Sequence, residues 1–319
     1  MEETDLTQIR TVELGPWEFQ TTDRAEFVTA SQVNELQHAL RRWQEVFSRE
    51  DTLAQREFNV PSLLVRVDCT PTPQGLRIYE VEERPSGLGV ASTIAPGFAT
   101  RLRSQLQQLP PFQVVVSPQR GWPGTDDFVW ATAATTAPPM GAVLVRAEPE
   151  ESGFHSLAPR SISAVREKGN KDYGVALGWW QLVTAADVNQ LPWDQGFCLK
   201  PIQGSKCRGV EIFAPAGLRP RRRDGRPGQN GNGTSTRTRV TNALIERGQM
   251  YLQPLIRPQE LLLNGAVHYA TWRIFFCYGG RGQWRPLGGV WVARPETYRL
   301  HGAKDSVAGP LVLDPATLG

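Results

Sequence analysis

Two short apolar runs joined by a turn constrain the fold of this chain more than any other stretch. Residues 62–68 (SLLVRVD) and 76–82 (LRIYEVE) are rich in β-branched and apolar side chains, and the TPTPQG segment between them supplies turn-forming proline, threonine and glycine. So short a connection permits only antiparallel pairing, and the sequence predicts a hairpin. Side chains alternate faces along a strand. Arg66 and Asp68 therefore share a side of the first strand, and Glu80 and Glu82 share a side of the second. Three carboxylates and an arginine can converge there. Hard oxygen donors of this kind suit a Mg²⁺ that also holds nucleotide phosphates. The competing reading is a solvated, charged hairpin face.

The chain has 319 residues, of which 40% are hydrophobic and 21% charged, enough to bury one large core or several smaller ones and too apolar for global disorder. No uninterrupted apolar run approaches the roughly eighteen residues of a membrane-spanning helix. The first residues include Glu2, Glu3 and Asp5, where a signal peptide needs a basic and then an apolar segment, so a cytoplasmic location is expected and a membrane partner is not. Cys69, Cys198, Cys207 and Cys277 form no C-x-x-C pair and the four histidines are scattered, which argues for reduced, buried thiols rather than a zinc site. Residues 219–239 hold seven arginines against one acid, Asp224, a local charge of +6 within a chain whose total is +3. The rest of the chain is thus slightly acidic, and nucleic acid is not an expected partner.

Other elements follow from periodicity. Val33, Leu36, Leu40, Trp43 and Phe47 mark an amphipathic helix over residues 31–48, with Ser31 as its N-cap. A second helix is predicted from Pro96 through Leu109, and the apolar runs within 112–145 suggest a small sheet of their own. A helix-like stretch at 161–180 leads to strands at 196–201 (GFCLKP) and 209–213 (GVEIF), and residues 217–239 are expected to be a mobile basic insertion. The helix VTNALIERG, the strand MYLQPLI and the aromatic pair YATWRIFFCYGG and WRPLGGVWVARP complete the chain. This order suggests an N-terminal α/β subdomain at 1–160, carrying the acidic hairpin, and a second region at 161–319.

Two further groups of residues can carry chemistry. Lys200 ends an apolar strand and is followed by Gln203, Gly204, Ser205 and Lys206, a fixed cation beside a glycine loop whose backbone amides can approach phosphate. The alternative is an ordinary surface hairpin, since no Walker sequence is present. Arg273 and Arg294 each interrupt an apolar strand, and a buried guanidinium requires an anion, either a core carboxylate or a ligand's phosphate or carboxylate.

Taken in order, Lys200 in GFCLKP, the QGSKCRGV loop, the strand ending at Gln253-Pro254-Leu255-Ile256, and Arg273 with Gly288-Gly289 through Arg294 resemble the ATP-grasp superfamily. RVDCTPTPQGLRIYEVEERPSGLG resembles its R-x-D … E-x-N magnesium segment, placed before the lysine strand as in glutathionylspermidine-synthase-like and circularly permuted members, with Glu82 where the family has asparagine. The resemblance covers residues 62–90 and 165–310. It implies an α/β (α+β) fold with antiparallel sheets, ATP and Mg²⁺ as cofactors, and a ligase that joins a carboxylate to an amine or thiol through an acylphosphate. By the same resemblance, Lys200, Gln203, Gly204, Ser205 and Lys206 hold phosphates and Gln253 and Leu255 meet adenine. Asp68, Glu80 and Glu82 bind Mg²⁺, Arg273 and Arg294 are catalytic, and a homodimer is suggested. The alternatives are a non-catalytic nucleotide-binding or assembly protein and, from a different class, a nucleic-acid-binding protein acting through the arginine segment.

Overall fold

The computed structural model describes residues 9–14, 17–46, 52–83, 85–108, 112–116, 142–146, 159–162, 173–202, 209–215, 236–295 and 306–318. The predicted hairpin is present as β4 (Leu64–Thr72) and β5 (Gly75–Glu82). It forms one side of a nine-stranded sheet ordered β1 (Ile9–Leu14), β2 (Trp17–Thr22), β15 (Val307–Leu313), β14 (Trp284–Pro295), β13 (Ala266–Tyr278), β4 and β5. Two short strands extend it, β3 (Glu26–Val28) on β15 and β12 (Gln259–Leu263) on β13. Strands from both sides of residue 160 therefore share one sheet.

A second, antiparallel sheet is ordered β10 (Glu211–Phe213), β9 (Phe197–Pro201), β11 (Gln249–Pro254) and β8 (Gln181–Thr184). In the segment expected to hold a small sheet, β6 (Phe112–Val116) and β7 (Ala142–Arg146) pair in parallel. The architecture is mixed α/β and its two larger sheets are mainly antiparallel.

Helices cover both faces of the large sheet. On one face, α1 (Ala30–Val46) buries Val33, Leu36, Leu40 and Trp43, with Trp43 edge-on to Trp284 at 6.0 Å. Its N-cap is Thr29 rather than Ser31: the Gln32 amide donates to the Thr29 hydroxyl while the Gln32 side chain accepts from the Thr29 amide, a reciprocal cap. After α2 (Leu53–Phe58) comes α3 (Leu88–Ile94), which was not expected, and the helix expected from Pro96 is present as α4 (Phe98–Leu106). Gly97, at φ +67°, provides the left-handed turn between them. These lie on the opposite face, with Phe98 against Phe275 at 5.2 Å. Of the helix expected at 161–180, the described residues contain only α5 (Tyr173–Ala176).

The second sheet has its own core. Phe197, Leu199, Met250 and Leu252 pack with Val240 and Leu244 of α6 (Thr236–Arg247). Helix α6 begins inside the expected insertion, so Arg237 and Arg239 are helical. Arg237 stacks on Trp193 at 5.5 Å and Arg239 lies 4.0 Å from Glu211. Residues 217–235 of the insertion lie outside the described residues.

Candidate functional site

Antiparallel register decides which charged side chains meet. Across β5, β4 and β13, Glu82 is opposite Arg66, which is opposite Phe275; one step along, Glu80 is opposite Asp68, which is opposite Arg273. Partners across such a ladder project to one side, so two adjacent rows gather Arg66, Asp68, Glu80, Glu82 and Arg273 on the α3/α4 face. The alternation within the hairpin predicted four of these neighbours.

Arg66 is the hub of the cluster. Only 3% of it is exposed, and its Nε and Nη2 donate to the two oxygens of Asp68 at 2.6 and 2.9 Å. Its Nη1 lies 2.9 Å from the Glu82 carboxylate and donates to the Ser86 carbonyl at 2.7 Å and hydroxyl at 3.0 Å. Burial opposes charge on Arg66, but Asp68, Glu82 and Glu80 outweigh it and hold the guanidinium protonated beyond its ordinary range. Burial likewise pushes the Asp68 carboxyl up, against the pull of Arg66 and Arg273. Arg273 is made less basic by burial and by Arg66, while the three acids work the other way. Its Nε is buried and has no hydrogen-bond partner among the described residues.

The expected metal centre is not formed among the described residues. Two of the three acids, Asp68 and Glu82, are already held by Arg66, and no group of three or more His, Cys, Asp and Glu side chains among the described residues is arranged to hold a metal ion. Asp68, Glu80 and Glu82 as they stand do not fit a Mg²⁺ site.

The second sheet brings its cation to the same strand from another direction. Lys200 is paired with Tyr251 and Cys198 with Gln253, so these four share the sheet face turned away from α6. From that face Lys200 Nζ donates to the Tyr79 carbonyl at 3.3 Å, and the Gln253 amide donates to the Ile78 carbonyl at 3.5 Å. Strand β5 thus receives Lys200 and Gln253 on its backbone while its side chains carry Glu80 and Glu82. Lys200 also stacks on Trp180 at 4.7 Å. Trp180 itself is buried in the large core, as are Trp272, Trp284 and Trp291. Tyr173 completes the edge: its hydroxyl donates to the Val81 carbonyl at 2.9 Å and accepts from the Val81 amide at 3.0 Å. Sequence gave no signal for this residue, because its role depends on which strand lies beside it.

Gln253 and Leu255 line a groove of about 890 Å³ between α1, the β4–β5 turn, residues 177–179 and the segment leaving β11. The Leu255 amide is itself bonded to the Gly196 carbonyl at 3.1 Å. Arg294 does not join Arg273. It is opposite Tyr269, four residues along β13 and so roughly 13 Å away at 3.3 Å per residue. Gln203, Gly204, Ser205 and Lys206 lie outside the described residues. No helix among the described residues is long and apolar enough to cross a membrane.

No family model matches this sequence, and no curated protein matches it. Among solved structures, the chain is similar to the crystal structure of a "Putative gamma-glutamylcysteine synthetase" from Methylobacillus flagellatus KT, with a TM-score of 0.41 and 8% identity over 86% of each chain.

Proposed function

We propose that this chain is an ATP-dependent ligase that activates a carboxylate as an acylphosphate and passes the acyl group to an amine or thiol. The observation that carries the reading is the convergence on β5: Lys200 and Gln253 reach its backbone from one sheet, while Arg273 stands beside its acids on the other. Such a reaction asks for positioning and charge neutralisation more than for a dedicated nucleophile. Lys200 would exchange its carbonyl partner for phosphate oxygens, a stronger, charge-assisted contact. Gln253 and the backbone around Leu255, which line the groove, would meet the edge of the base. Arg273, with an unused buried N–H, would face the transferred phosphoryl group as charge builds on it.

In the first step a carboxylate oxygen attacks the γ-phosphorus and ADP leaves. In the second the amine or thiol attacks the acyl carbon and inorganic phosphate leaves. Mg²⁺ is assigned no step, because the acids do not fit it. The compensated state of these acids also favours a second reading, a nucleotide-binding protein without turnover.

Thermal unfolding with and without Mg²⁺-ATP, Mg²⁺-ADP and Mg²⁺-GTP tests nucleotide binding. Ligand at one hundred times its Kd adds about 2.7 kcal/mol, a rise of roughly 4 °C, and the shift should be selective for adenine. Lys200→Ala should weaken ATP binding by about 10- to 100-fold, the worth of a charge-assisted bond. No shift at millimolar nucleotide overturns both readings. A shift without ADP release across a panel of carboxylates and amines selects the second.

A further inference from the structure

The carboxylate cluster poses a charge problem that the fold has already solved. Asp68, Glu80 and Glu82 bring three negative charges to one sheet face, and two of them share a single guanidinium. Arg66 lies within 2.6–2.9 Å of oxygens on both Asp68 and Glu82. A divalent ion bridging the same two acids would need oxygens at about 2.0–2.6 Å and would occupy the same space between them. Arg66 is also bolted in place by the Ser86 carbonyl and hydroxyl and is almost wholly buried, so it does not swing aside as a surface arginine would.

We propose that Arg66 is the resident cation of this cluster: its guanidinium takes the place of a divalent ion between Asp68 and Glu82, and the protein binds no metal there on its own. A planar fork suits two carboxylates set at an angle, which a single ammonium cannot bridge with the same number of bonds. Counted as formal charges, the three acids with Arg66 and Arg273 sum to −1. Without Arg66 they sum to −2, the charge a divalent ion balances. The inference rests on the geometry of the cluster and not on the ligase reading.

Mn²⁺, followed by its electron paramagnetic resonance in titrations of the full chain without nucleotide, provides the test. Wild-type protein should leave the free Mn²⁺ signal unchanged at millimolar ion. Arg66→Met should bind Mn²⁺ at least ten-fold more tightly than wild type, and both Mn²⁺ and Mg²⁺ should raise its Tm while leaving that of wild type unmoved. Arg66→Lys should lie between the two. Nucleotide-free binding by wild type that is lost in Glu82→Gln overturns the proposal, as does a folded Arg66→Met protein that gains no metal binding. If Arg66→Met does not fold with or without metal, the wild-type titration decides: silence supports the proposal and a Glu82-dependent signal overturns it. Because these titrations contain no nucleotide, they can fail while the ATP shift succeeds, and the reverse.

Discussion

Replacing Tyr173 with phenylalanine removes one oxygen atom and should loosen the strand on which the whole site depends. That hydroxyl makes two bonds to Val81, donating to its carbonyl and accepting from its amide. Val81 sits opposite Val67 on β4, so its outer backbone groups have Tyr173 where another strand would have been. Phenylalanine keeps the ring and its contacts with Trp43, Trp179 and Trp180 at 6.3, 6.2 and 5.6 Å. The loss is therefore confined to hydrogen bonding. Each buried backbone group left without a partner costs about 1–3 kcal/mol, which gives about 2–6 kcal/mol for the pair. In a chain of this size such a change lowers Tm by roughly 3–9 °C. Urea unfolding followed by tryptophan fluorescence would report the global loss, and amide hydrogen exchange at Val81 would report the local one. A loss below about 0.5 kcal/mol, with Val81 still protected, would refute the claim that Tyr173 closes the edge of β5.

Two other perturbations test different parts of the argument. A Cβ built on Gly289 would lie 2.0 Å from the Arg273 carbonyl oxygen, so Gly289→Ala must spread β13 from β14 beside the cluster. The expected cost is about 1–3 kcal/mol or more, read by urea unfolding, and an unchanged midpoint would mean that the strands have slack. Burial pushes the Cys277 thiol up to about 12, and that of Cys69 upward as well. Because the folded state favours the neutral thiol, stability from this source is fully present below about pH 9 and is lost as pH rises towards 12, by up to about 1.4 kcal/mol per pH unit per thiol. Cys277→Ala should flatten the alkaline slope of unfolding free energy. An unaltered slope would show that the thiol does not titrate there.

The hairpin was legible because its signals are local. A proline- and glycine-containing turn set the pairing, and the two-residue period placed Arg66 with Asp68 and Glu80 with Glu82. The full chemistry of the cluster was not legible. Arg273 joins it through the pairing of β13 with β4, and nothing in either segment specifies that register. Strands β13 and β14 read as apolar runs because both their faces are buried, and such runs carry no period that says which side chains face which way. The part Arg66 plays among these acids was not legible for a related reason. Spacing showed acids on a common face, but the bonds from Arg66 to Asp68 and Glu82 depend on side-chain conformation. Helix α1 was found almost to its ends by its apolar stripe, whereas the helix-like stretch at 161–180 holds only α5 among the described residues, and its Tyr173 and Trp180 stack in series with Tyr251 of the second sheet.

The row that joins Glu80, Asp68 and Arg273 also sets an order of events during synthesis. Asp68 and Arg273 are about two hundred positions apart in sequence, and at on the order of 5–20 residues per second a ribosome needs roughly 10–40 s to deliver the second after the first. The hairpin can close long before then, with Arg66, Asp68 and Glu82 all contained within it. In that interval Arg66 neutralises acids whose other cation has not yet been made, while the outer edge of β4 waits for β13. The nascent protein therefore carries an open, apolar strand edge through most of its translation, and that edge is where a chaperone would be needed.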